Sequence, residues 1–149
     1  MADGVPDALA AFDAAMRATN APYMIIGGIA VIARGVPRHT DDVDGTVWAD
    51  GLDLASLLSA LRAERIEPRI VDALEFARQN QVFLLRHTPT STDIDLSLAW
   101  LPFEREALVT HQFVSISGVT FDPCVLAPLA RRKRHGSRFF FGKAKLRCR

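Results

Sequence analysis

The stretch YMIIGGIAVIARGVPRHTDDVDGTV, residues 23–47, decides how the rest of the chain is read. It opens on four apolar residues, Tyr23 to Ile26, breaks at Gly27-Gly28 and resumes as a short apolar run. A short apolar segment, two glycines and a further apolar run predict a strand, a tight turn and a helix beginning near Ile29. Glycine lets the backbone take positive φ and lie close to another group. The first turn of a helix also presents unpaired N–H groups and a positive dipole end, which suit a phosphate.

The second half is more specific. Val43, Gly45 and Val47 alternate with Asp42, Asp44 and Thr46, which is the period of a half-buried strand. Asp42 and Asp44 then share one face, with Cα atoms roughly 6.7 Å apart from the rise of a strand. Two carboxylates fixed in this way can share a pair of hard cations, the arrangement that clamps the attacking and leaving oxygens of a phosphoryl displacement. Left without a cation or a donor, they would be costly to bury. A calcium loop is excluded: with Gly45 at its sixth position, the first would be Thr40 and the twelfth Gly51, neither of which is the required acid.

The segment resembles the minimal nucleotidyltransferases of the DNA polymerase β-like superfamily, among them the AbiEii-type toxins of toxin–antitoxin systems. The matching residues are Gly27-Gly28, the spacer that follows, and Asp42-Val43-Asp44, with Arg38, Thr40 and Asp42 falling on an Arg-x-Thr-x-Asp-x-Asp variant. The resemblance covers the chain to about Pro102, thins towards Pro128 and ends there. It implies an NTP held by Gly27, Gly28, Arg38 and Thr40. It further implies Mg²⁺ or Mn²⁺ in a two-ion site on Asp42 and Asp44, and a third carboxylate from a later strand. Thr92 to Leu98 alternates again, placing Asp93 and Asp95 on one face. The family context of an acid between apolar residues selects Ile94-Asp95-Leu96, with Asp93 as the alternative. The third acid would complete the metal site on the acceptor side and act as general base.

Composition sets the frame. At 149 residues and 49% apolar, the chain is expected to fold as one domain burying roughly 68–70% of its unfolded surface. The longest apolar run, 23–33, falls short of the roughly 20 residues of a membrane helix. The first residues show no basic region leading into an apolar run, so a cytoplasmic protein with no membrane contact is expected. Cys124 and Cys148 have no metal-binding spacing. The net charge of +1 conceals an asymmetry: residues 131–149 hold nine Lys and Arg and no acid, leaving residues 1–130 at −8.

Taken in order, Val5, Leu9, Phe12 and Met16 predict an amphipathic helix over 6–18. Leu54, Leu57, Leu58 and Leu61 predict another over 52–64, ended by Pro68. Asp72 is expected to cap a third helix over 73–80. Residues 81–86 and 92–98 read as a hairpin, the second strand lying beside the one bearing Asp42 and Asp44. A helix over 104–110 and a hairpin about Gly118 follow. Arg34 and His39 read as surface residues of the turn.

The expected fold is therefore α/β or α+β, a small mixed sheet with helices mainly on one side and the acids at one sheet edge. Residues 1–130 form the nucleotidyltransferase-like domain and 131–149 a basic tail. Phe139-Phe140-Phe141 within that tail fits a nucleic-acid contact, an anchor on the domain, or an altered C-terminus. The expected activity is metal-dependent transfer of NMP from an NTP to the hydroxyl of an acceptor, a tRNA, a protein or a small molecule. A toxin or antitoxin protein is the partner that the family suggests. The alternative is a degenerate homologue that binds protein or RNA without catalysis.

Overall fold

In the computed structural model, residues 1–109 and 114–121 are described. Residues 122–149, which include both cysteines and the basic tail, lie outside them, as does the domain boundary at 130.

The first helix, α1 (Val5–Thr19), forms where the apolar spacing placed it, with Pro6 in its first turn and Asn20 closing it in a left-handed conformation. Its stripe of Val5, Leu9, Phe12 and Met16 is wholly buried. β1 (Tyr23–Ile26) follows, then α2 (Gly27–Ala33), which starts at the glycine pair rather than after it. β2 (Asp42–Trp48) leads to α3 (Leu54–Ala63), whose N-cap Asp53 accepts from the N–H groups of Ala55 and Ser56. β3 (Ile66–Pro68), α4 (Ala73–Asn80), β4 (Val82–His87), β5 (Thr92–Ala99) and α5 (Pro102–Val109) complete the main body, followed by the small hairpin of β6 (Val114–Ile116) and β7 (Val119–Phe121).

The five long-range strands form one mixed sheet in the order β1-β2-β5-β4-β3. β2 and β5 run parallel, and the other pairs are antiparallel. Val43, Val47, Ile94, Leu96, Leu98, Phe83 and Leu85 share one core with buried residues of α1, α3 and α4. Helices thus cover mainly one face, as expected. On the other face a smaller cluster of Met24, Ala99 and Leu108 marks where α5 meets the sheet, and Arg105 stacks over Trp48 there. Glu104 is buried and accepts from the N–H groups of Trp100 and Leu101, which lets α5 begin two residues before its predicted start. Among the described residues no helix is long and apolar enough to cross a membrane.

Three expectations are corrected. The acids do not lie at a sheet edge, because β2 and β5 are interior strands. Pro68 does not merely stop a helix but ends β3, an edge strand paired on one side only, where a missing N–H is tolerated. Asp72 makes no side-chain cap and sits in the left-handed region at φ 55°.

Gly45 on the core face of β2 makes room for α1: a Cβ there would lie 2.7 Å from Phe12 Cζ and 3.1 Å from Phe12 Cε1. That ring is wholly buried, so Gly45→Ala is expected to destabilise the protein by about 1–3 kcal/mol in a denaturant titration. At the end of β4, His87 is buried and its Nδ1 lies 2.8 Å from Thr90 Oγ1, which in turn lies 2.9 Å from Thr92 Oγ1. Burial, helped by Arg65 and opposed by Asp7, holds the His87 pKa below the usual 6.5. The unfolded chain therefore takes up a proton that the folded chain resists. This contribution to stability is complete above about pH 6.5 and is lost as the pH falls through the folded value. Thermal melts between about pH 7 and pH 5 should show wild type losing stability relative to His87→Gln.

Candidate active site on the open sheet face

The pairing of β2 with β5 sets the geometry. In its parallel register Asp42 lies beside Asp93 and Asp44 beside Asp95. Because Val43 and Ile94 between them point into the core, the four carboxylates form a square on the opposite face. Neighbouring strands stand about 4.8 Å apart, so the acids cannot avoid one another by backbone placement.

The glycine pair closes one side of this square. Gly27 has φ +66°, and a Cβ on it would fall 2.0 Å from Asp44 Oδ2. A Cβ on Gly28 would fall 2.5 Å from Thr40 Oγ1 and 2.7 Å from Thr40 Cβ. Both glycines are thus needed for close approach, one beneath Asp44 and the other beneath Thr40. Thr40 is buried and donates its hydroxyl to Asp42 Oδ1 at 2.9 Å, so it orients the first carboxylate. The N–H groups of the first turn of α2 have no side-chain cap. Arg38 is exposed in the loop before β2, and its charge acts on Asp44. Arg34 and His39 are exposed turn residues.

The other side of the square carries two arginines that the sequence reading did not include. Arg86 on β4 pairs in register with Asp93 and donates to its Oδ1 at 2.7 Å. Arg69, in the turn after β3, places Nη1 3.1 Å from Asp93 Oδ2 and Nη2 against Asp95 Oδ1. Its backbone N–H is held by Leu84 O at 2.9 Å, which fixes where the side chain starts. The Arg86 contact was legible in principle, since a hairpin turning at Pro89-Thr90 pairs 86 with 93. Nothing in the pattern around Arg69 signals its position.

Electrostatics separates the acids. Burial, then the charges of Asp42 and Asp95, push the Asp44 pKa up to about 6, against the opposing effect of Arg38. Asp95 is also raised, by burial first and by Asp42 and Asp93, with Arg69 opposing. Asp93 is lowered, chiefly by its bond from Arg86. Asp42, Asp44 and Asp95 act on one another through their charges, and Asp93, which also acts on Asp95, is paired with two arginines of its own. Oxygen-only carboxylates under mutual repulsion fit a hard divalent cation by donor type and charge. As the side chains stand, however, no three acidic, His or Cys groups among the described residues converge on one point, and Asp95 is engaged by Arg69. A hollow of about 490 Å³ lined by Leu52, Leu54, Leu98 and Trp100 lies at the far end of these strands and contains none of the predicted residues.

Two solved structures of ANT(2'')-Ia resemble the chain. The solution structure of this antibiotic-resistance factor matches with a TM-score of 0.57 and 22% identity, over 82% of this chain and 66% of that one. The crystal structure of ANT(2'')-Ia in complex with adenylyl-2''-tobramycin matches with a TM-score of 0.54 and 23% identity, over 78% of this chain and 66% of that one. The fold is the nucleotidyltransferase fold. At this identity the likeness is one of fold, and the chain spans 66% of the length of ANT(2'')-Ia. The resemblance carried by residues 27–44 implied a fold of this kind. No protein-family model matches the sequence, and no curated protein does.

An acid whose pKa is raised by burial and like charges destabilises the ion-free protein whenever it is ionised. Asp44→Asn is therefore expected to raise the stability of the ion-free protein near neutral pH by about 1 kcal/mol, the shift being discounted for partial exposure. Thermal melts in chelator check this, and a variant less stable than wild type contradicts it.

Proposed function

We propose that the chain is a metal-dependent nucleotidyltransferase that moves NMP from an NTP to an acceptor hydroxyl, releasing pyrophosphate. The observation that carries the reading is the Asp44 carboxylate lying against Gly27 and in register with Asp95. That arrangement puts the uncapped backbone N–H groups at the start of α2 next to the acids that would hold the ions.

In this reading Gly27 and Gly28 receive the β- and γ-phosphates through backbone N–H groups, which a side chain at either position would block. Arg38 offers a fork to the triphosphate from the exposed loop. Thr40 acts through Asp42, which it holds by hydrogen bond. Asp42, Asp44 and Asp95 would ligate Mg²⁺ or Mn²⁺, whose bound charge offsets that of the phosphates and aligns the reacting oxygens. The acceptor oxygen bonds to the α-phosphorus as the bond to the β-bridging oxygen breaks. The acceptor proton passes to Asp95, the acid on the far side of the pair from the glycines.

Adenylyl-2''-tobramycin, bound by the structural neighbour, is a nucleotide joined to a small molecule, and it supports a small-molecule hydroxyl as one acceptor class beside a tRNA or a protein. A place in a toxin–antitoxin pair rests on the motif of residues 38–44 alone. The test is incubation with α-labelled NTPs, Mg²⁺ and acceptors of the three classes. Wild type should transfer label, and Asp42→Asn/Asp44→Asn should reduce the rate at least about a hundredfold, the scale of losing electrostatic stabilisation of phosphoryl transfer. Equal labelling by the two proteins would overturn the assignment and leave the binding-module alternative.

A further inference from the structure

We infer that Arg69 is a positioning residue that occupies the third carboxylate in the ion-free protein and competes with the metal for it. The inference rests on the function proposed above, since it needs Asp95 to be a metal ligand. Three observations carry it. The guanidinium of Arg69 spans two acids of one strand face, Asp93 through Nη1 and Asp95 through Nη2. Asp93 has a second cation in Arg86, so it keeps an ion pair without Arg69. Asp95 stands in register beside Asp44, and among the described residues its ion pair is the one with Arg69.

The consequence is a switchable contact. With Arg69 on Asp95, the charge of that carboxylate is offset by a guanidinium that a bound ion would have to displace. A divalent ion carries twice the charge of a guanidinium and attracts the same carboxylate more strongly at equal distance. Releasing Asp95 does not strand Arg69, because its other nitrogen already rests on Asp93. The anchored backbone after β3 keeps the guanidinium within reach, ready to return when the ion leaves. Arg69 therefore sets how much ion is needed to assemble the site.

The experiment titrates the full chain with Mn²⁺ alone, following free Mn²⁺ by its electron paramagnetic resonance signal. Arg69→Gln should bind Mn²⁺ roughly two- to fivefold more tightly than wild type, the scale of losing one partly exposed competing ion pair. Arg86→Gln removes an equal charge without freeing Asp95 and should shift affinity clearly less. In the Asp95→Asn background, Arg69→Gln should have no effect, since the two act through one contact. Arg69→Lys keeps the charge, loses the fork and should fall between wild type and Arg69→Gln; it serves in place of Arg69→Gln if that variant does not fold. Equal gains from Arg69→Gln and Arg86→Gln, or a gain that persists with Asp95→Asn, would show a diffuse charge effect and overturn the inference. Absence of binding by wild type and Arg69→Gln alike overturns it too. If Asp42→Asn binds Mn²⁺ as wild type does, the proposed function itself fails. If Asp42→Asn loses binding but Arg69→Gln matches wild type, only the role of Arg69 falls.

Discussion

The structure depends on the parallel, in-register pairing of β2 with β5. One face of this pair buries Val43, Val47, Ile94, Leu96 and Leu98 under α1 and α3. Each such side chain contributes about 1.5–3 kcal/mol on burial. A slip of either strand by one residue would turn that strand's apolar set to solvent and drive its aspartates into the core. The apolar face therefore fixes the register, and the register forces Asp42, Asp44, Asp93 and Asp95 together despite their repulsion. The site is a consequence of the core.

The glycines illustrate how one residue type satisfies two demands. From sequence, Gly27 and Gly28 are a turn through which a phosphate could approach the backbone. In the structure they also leave room for Asp44 and Thr40, whose atoms would meet an added Cβ at 2.0 Å and 2.5 Å. In the proposed reading the two demands coincide, because the acid seated above Gly27 is one of the three that would hold the ions. Gly45, three residues before the end of β2, serves packing alone: it seats the Phe12 ring that joins α1 to the sheet.

Much of this was legible in the sequence because alternation and helical spacing are direct imprints of one-sided burial. The period of two placed Asp42 with Asp44 and Asp93 with Asp95, and the stripe of α1 located its buried residues. Strand order was not legible, since edge and interior strands of this length share the same alternation; hence acids expected at an edge lie on interior strands. β3 was missed because three residues ending in proline carry no period. Asp53 and Asp72 both precede helical runs, but only the backbone of Asp53 is extended, and a side chain can cap only from that geometry.

Asp93 and Asp95 show where a sequence stops being informative and its neighbours take over. They stand two residues apart on one strand, point the same way and each follow or precede Ile94. The difference between them comes from β4: Arg86 meets Asp93, whereas Leu84 stands opposite Asp95. The first acid is thereby held ionised by a cation of its own, and its pKa is lowered. The second keeps the effects of burial and of the neighbouring acids despite Arg69, and its pKa is raised. An acid already satisfied gains little from a further cation, while one held in repulsion gains most. The chemistry of the square is thus assigned by an arginine and a leucine on the neighbouring strand.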